Sequence, residues 1–343
     1  MNNTLLAANK QKRRYGLLVG VLLAASVILI LLSITVGYYD IGLSRIIDVF
    51  GSIGSGELTP DYIVVLRVRL PRIMAAFLIG AALSVSGNAY QGMFNNPLVS
   101  PDTLGVATGA GFGASLAIFM GMSSVWVQLF AFFAGLGAAF LSFIIGSRVR
   151  HGQTVSMILA GTMVGALCLA ATTLLKYFAD SSDTLPAITF WLMGSLVKTN
   201  AQSLLISLIP IAAGFVILFL MRWRLNVLTL GDEEAQSVGI NPKKTRLIAI
   251  IGATLLSSAS VCLGGLIGWV GLMIPHIARG LVGPLYKKNM LVCILLGGCF
   301  LLGVDDIARG ASALEIPLGV LTAFAGAPFF IWLILSKRGQ RVS

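Results

Sequence analysis

Charge is scarce in this chain. Asp, Glu, Lys and Arg make up 11% of its 343 residues, where a soluble domain carries about 25%. With 57% hydrophobic residues and a mean hydropathy of +0.92, this excludes both a soluble globule of ordinary design and a disordered chain. Histidine is scarcer still: His151 and His276 are the only two, and both read as surface or satisfied side chains. The four cysteines, Cys168, Cys262, Cys293 and Cys299, form no C-x-x-C pair and read as small apolar fillers, not metal ligands. The G-x-x-x-x-G-K-[ST] phosphate loop, the H-E-x-x-H zinc helix and the G-x-S-x-G elbow are all missing. No catalytic residue, metal or resident cofactor is therefore expected. Acidic residues number 13 against 24 basic ones, a net charge of +11. Such a balance marks nucleic acid, a membrane surface or the asymmetric loops of a membrane protein. In so apolar a chain the third reading fits, and no nucleic-acid partner is expected.

What the chain has in abundance is long apolar runs. They lie at 16–36, 71–92, 103–121, 125–146, 155–176, 204–221, 246–265, 267–282, 289–304 and 317–336, each near the ~20 residues a helix needs to cross a bilayer. The run at 267–282 is short and contains Pro275, so it is the least secure. The first run follows the basic stretch 10–14 and exceeds the ~7–15-residue core of a signal peptide. It reads as an uncleaved span. The runs do not alternate, so a β-barrel is excluded. The expectation is an all-α polytopic membrane protein with about ten transmembrane helices, one domain over 1–343. With the N-terminus inside, the inner segments hold 17 basic and 4 acidic residues and the outer ones 7 and 9. That matches the enrichment of Lys and Arg in cytoplasmic loops. It places the tail 1–15, a loop at 222–246 and the tail 337–343 in the cytoplasm, with both termini on that side of the cell membrane.

Within the spans, small residues recur every four positions: Ala76, Gly80, Ser84, Asn88, Gly92, and again Gly105, Gly109, Gly113. Such rows let helix backbones approach closely in lipid. The stretch 109–113 has neither the preceding strand nor the later acidic residue of a dinucleotide loop. No Asp, Glu, Lys or Arg falls mid-span, which argues against an ion-coupled transporter, since such proteins keep intramembrane charges for function. Mid-span polarity is neutral: Ser84, Asn88 and Gln91, with Ser86, Thr172, Thr173, Ser257, Ser258 and Ser260. These groups either line a hydrated path or bond neighbouring helices.

Two loops break the pattern. In the loop after the sixth span, Asp232 is expected to cap a short helix. Glu233 and Glu234 suit that helix's first turn, Gly239 can end it, and Asn241 with Pro242 opens a second. Its acidic, small-residue middle suits a protein partner better than a lipid surface. On the outer side Arg67, Arg69, Arg72 and Arg309 run against the charge bias. They pair either within the chain, with Asp305, Asp306 or Glu315, or with an acidic partner from outside.

Arg69-Leu-Pro-Arg72, 80–87 (GAALSVSG), Asn96-Pro-Leu98 with 100–102 and 104–106, 191–194 (WLMG), Leu230-Gly-Asp232 with Gly239, 271–276 (GLMIPH) and 315–320 (EIPLGV) with 326–328 together resemble one family. It is the iron-siderophore, haem and cobalamin permeases of the type II ABC importers, with a BtuC-like fold. The resemblance covers nearly the whole chain. It implies ten helices and a second permease subunit, identical or not. It also implies two cytoplasmic ATPase subunits that bind ATP and Mg, and an extracytoplasmic binding protein. By position, it casts Arg69, Arg72 and Arg309 as docking residues for that binding protein. Gly231, Asp232, Glu233, Glu234, Ala235, Gly239 and Asn241 become the ATPase-coupling segment. Asn96, Pro97 and Leu98, with Thr154 and Val155, become gates; Val155 is apolar where a relative has a small hydroxyl residue. The implied activity is inward transport of a metal chelate by alternating access, with a molybdate-type oxyanion as the alternative solute.

Overall fold

The computed structural model describes residues 2–39, 41–51, 59–149, 153–311 and 315–336. His151 and the tail 337–343 lie outside them. The described residues form helices and connecting turns, with no strand among them. Each of the ten apolar runs contains one helix: α1 (Asn2–Thr35), α4 (Leu70–Phe94), α5 (Val106–Phe119), α6 (Ser124–Ser147), α7 (Gln153–Phe178), α9 (Ala201–Leu228), α11 (Pro242–Gly264), α12 (Val270–Val282), α13 (Tyr286–Ala311) and α14 (Leu318–Leu335). Seven of these, α1, α6, α7, α9, α11, α13 and α14, are long and apolar enough to cross a bilayer. At about 1.5 Å per residue α4 also has that length, whereas α5 and α12 reach only about 20 Å. The expected tail 1–15 is helical from Asn2 and continuous with the first span in α1.

Shorter elements went unseen in the sequence. These are α2 (Leu43–Gly51), α3 (Pro60–Tyr62), α8 (Thr184–Met193) and a 3₁₀ turn at Pro101–Leu104. The short helix α10 (Asp232–Ser237) was anticipated. A π-helical segment, Ile63–Arg69, joins α3 to α4. Pro71 lacks the N–H that would bond back to residue 67. The widened turn just before it closes instead through Leu70 N–H to Val65 C=O.

The centre of the bundle is α4, buried at every position from 79 to 91. It packs against α9, α11, α12 and α13. The predicted row of small residues explains how. A methyl group on Gly87 would sit 2.6 Å from the Gly271 carbonyl carbon of α12, and one on Gly80 would sit 2.8 Å from the Gly297 carbonyl carbon of α13. The second row, at Gly109 and Gly113, meets α6 in the same way. Gly105 does something else: at φ +75° it makes the turn from the 3₁₀ segment into α5.

Three contacts zip α1 to α13. Tyr15 Oη donates to Lys288 C=O (3.4 Å), Ser26 Oγ meets Cys299 Sγ (3.1 Å), and Ser33 Oγ donates to Asp306 (2.6 Å). Each pair is 273 residues apart, so the two helices run parallel in one register. The first and ninth runs thus share a direction, as alternating crossings require. Residues 15 and 288 mark one end of the bundle, with its basic stretches, and residues 33 and 306 mark the other.

Gly87→Ala should lower thermal stability in detergent by about 1–3 kcal/mol through overpacking. Gly137→Ala, where nothing lies within 4 Å, should not; equal melting of the two variants would contradict the packing assignment.

Candidate functional site

At the basic end, α9 passes through a turn at Thr229 and Leu230 to Gly231, whose φ of +129° lets the chain turn into α10. Two details differ from expectation. Gly231, not Asp232, holds the N-cap position. Asp232 instead binds a side chain the sequence reading left out, Arg246: its two oxygens accept from Nη1 and Nη2 at 2.8 and 2.7 Å. An arginine fork outcompetes backbone amides for a carboxylate because it is charged and bidentate. The second helix of the segment is not short either. It is the spanning helix α11, so the true connection is 229–241 and the flanks of 222–246 belong to α9 and α11.

The remaining local logic is as expected. Ala235 is buried beneath α10, Gly239 closes it at φ +79°, and Asn241 Oδ1 accepts the Lys244 N–H (3.1 Å) with Pro242 in the first turn of α11. Glu233, Glu234, Gln236, Ser237 and Val238 are exposed, giving an acidic and polar face flanked by apolar Leu230 and Val238.

The first gate segment lies at the same end. Asn95, at φ +50°, ends α4 and donates from Nδ2 to Thr229 C=O (3.0 Å). Asn96 Oδ1 accepts the Leu98 N–H (2.9 Å), folding Asn96, Pro97 and Leu98 into a tight turn with Leu98 66% exposed. Across from the following 3₁₀ turn, Gly161 of α7 packs on the Thr103 backbone. Thr154 and Val155 open α7, with Val155 61% exposed.

The opposite end holds the arginines expected to dock a partner, and the geometry shows them paired within the chain. Arg69, Arg72 and Arg309 are only 4%, 6% and 5% exposed. Arg69 donates to the carbonyls of Ile34 (2.7 Å), Thr35 (3.3 Å) and Tyr39. Arg72 holds Asp305 (2.8 Å) and Glu315 (2.8 and 2.7 Å). Arg309 donates to Ser33 C=O (2.9 Å), pairs with Asp306, and lies 3.4 Å from Asp305. Asp305 is fully buried, and a buried carboxylate needs such partners because it has lost its water. Pairing within the chain is thus the alternative realised, and the exposed arginine of the motif is Arg67.

None of the pathway candidates is open to the surface of this chain. Ser84, Asn88 and Gln91 are buried inside the subunit. Ser84 Oγ donates back to Gly80 C=O (2.7 Å) and seats against Gly297. Gln91 donates to Leu272 C=O (3.2 Å) and accepts from Arg279, joining α4 to α12. Asn88 Nδ2 is enclosed without a hydrogen-bond partner. All three are enclosed because α4 is buried at their level, and of them Gln91 is the one that bonds a neighbouring helix. A hollow of about 290 Å³ lies elsewhere, walled in part by Ser100, Asp102, Thr108, Ser257, Leu266 and Trp269. Trp269 sits at φ +68°, an uncommon conformation for a bulky residue, and packs against Gly326 and Phe330.

Among the described residues no group of three His, Cys, Asp or Glu side chains could hold a metal ion. The arrangement offers a packed helical bundle, an exposed acidic helix near the end of α4 at one end, and a closed ionic knot at the other.

The model of the FecCD transport family matches residues 22–336. A molybdate import permease of Haemophilus influenzae is 37% identical over 91% of this chain and 94% of its own length. A probable iron chelatin permease of Helicobacter pylori is 38% identical over 82% of this chain and 86% of its own. Among solved structures, a metal-chelate type ABC transporter in an inward-facing conformation is 36% identical and superposes with a TM-score of 0.84, covering 92% of this chain and 98% of that one. Family model, relatives and fold agree along almost the full length: the chain belongs to the FecCD transport family.

Proposed function

We propose that this chain, a membrane permease of an ABC importer, passes a metal chelate from an extracytoplasmic binding protein to the cytoplasm by alternating access. Two permease subunits would enclose the path, and two ATPase subunits would bind ATP and Mg and supply the energy. The observation that carries this reading is α10 with its exposed acidic face at the basic end, following Thr229, whose carbonyl is bonded by Asn95 at the end of α4. The positive-inside bias puts that end in the cytoplasm, where an ATPase can meet it. Full-length similarity to a metal-chelate type transporter favours a chelate such as a ferric siderophore, haem or cobalamin. The similarity to a molybdate permease supports an oxyanion as the second reading.

Gly231, Asp232, Glu233, Glu234, Ala235, Gly239 and Asn241 form the coupling segment in this reading, and Asn96, Pro97 and Leu98 with Thr154 and Val155 form the gates. Coupling requires contacts that differ between two states. The binding protein docks at the other end. There Arg69, Arg72 and Arg309 act from beneath, holding the loops whose shape the partner meets, while Arg67 faces outward.

The chain should co-purify with an ATPase encoded alongside it. In the assembled complex, removing Asp232 and Glu233 together should cut transport far more than basal ATP hydrolysis; unchanged transport would contradict the coupling assignment. Arg72→Ala leaves Asp305 short of its main partner. It should destabilise the chain by about 3–5 kcal/mol, read by thermal unfolding, whereas Arg67→Glu should weaken binding-protein capture at low salt with no loss of stability. The reverse pattern would restore Arg72 as a direct docking residue. Isothermal titration of the partner binding protein with a ferric chelate and with molybdate separates the two solute readings.

A further inference from the structure

Arg246 has no role in the reading above, yet it touches both α10 and the end of α4. Its guanidinium is 5% exposed. Two of its nitrogens clasp both oxygens of Asp232, the first residue of α10. The third, Nε, points at the carbonyl of Met93 at 3.4 Å. Met93 lies in the last turn of α4, where carbonyls have no partner within the helix, three residues before Asn96. A second strap runs beside it, from Asn95 Nδ2 to Thr229 C=O. The coupling helix is therefore tied to the end of the gate-bearing helix on both sides of Gly231.

We propose that Arg246 is a positioning residue that carries displacement of α10 to the end of α4 and so to the Asn96–Leu98 turn. The geometry suits that task. A planar fork on a carboxylate fixes orientation as well as distance, so α10 cannot tilt without turning the guanidinium plane. The same rigid group presents Nε to α4. A lysine would keep the charge but act as a point contact on a flexible stem. Burial keeps water from replacing the Met93 bond. Among the described residues Asp232 is the carboxylate this arginine pairs with, and Glu233 and Glu234 are exposed.

The proposal rests on α10 being the ATPase-coupling segment, and the experiment separates the two. The complete complex is prepared with the four native cysteines replaced. Spin labels at Leu98 and Val155 report the gate, and a second pair at Val238 and Lys243 reports α10. Distances are read by pulsed electron resonance with ADP and with ATP plus vanadate, alongside ATP turnover. In the parent complex both pairs should shift with nucleotide. In Arg246→Gln, ATP turnover and the α10 shift should persist while the gate shift is lost, with Arg246→Lys in between. Asp232→Asn should likewise lose the gate shift, and in that shift the double variant should be no worse than either single one, because both remove the same link. A gate shift that survives in Arg246→Gln overturns the proposal. If the gate fails to move even in the parent complex, it is the coupling reading that falls. Should the Gln variant not assemble, Arg246→Lys and Asp232→Asn carry the same comparison.

Discussion

Helices in lipid gain little from hiding apolar surface against one another, since the tails are as apolar as leucine. They need contacts that only close approach supplies. Here that constraint falls on α4, where Gly80 and Gly87 bring its backbone against Gly297 of α13 and Gly271 of α12. The rest of the bundle is arranged around this rod. Because α4 is buried from 79 to 91, its polar side chains are enclosed, and Ser86, Tyr90 and Gln91 bond neighbouring helices.

Both ends of the rod finish in arginine-centred clusters. At one end Arg72 joins α4 to α13 and to the approach to α14, and Arg309 ties α13 to α1. At the other, Arg246 and Arg279 join it to α10, α11 and α12. The guanidinium group suits this work because it offers several fixed donors and stays charged when buried. The result is a central helix whose two termini report to opposite faces of the membrane. An importer that must sense a binding protein on one side and an ATPase on the other needs such a member.

Much of this was legible in the sequence where a local rule dominated. The spans followed from apolar length, helix packing from the four-residue spacing of Gly, Ala and Ser, and the start of α11 from Asn241-Pro242. The misses share a cause: tertiary partners decide them. Asp232 reads as an N-cap until Arg246, fourteen residues away, claims its carboxylate. The outer arginines read equally as docking or pairing groups, because Asp305 and Glu315 lie more than two hundred residues from Arg72. Ser84, Asn88 and Gln91 could not be told from path-lining groups without knowing what covers α4. The ten-residue α8 fell below the length that marks a span.

The central claim is that ATP hydrolysed by partner subunits drives solute through this chain. The direct measurement is uptake into proteoliposomes holding the permease, its ATPase and its binding protein, with the binding protein's own ligand as tracer. Uptake should require both ATP and the binding protein, and should persist with no ion gradient. Accumulation driven by a proton or sodium gradient in the absence of ATP would contradict the account.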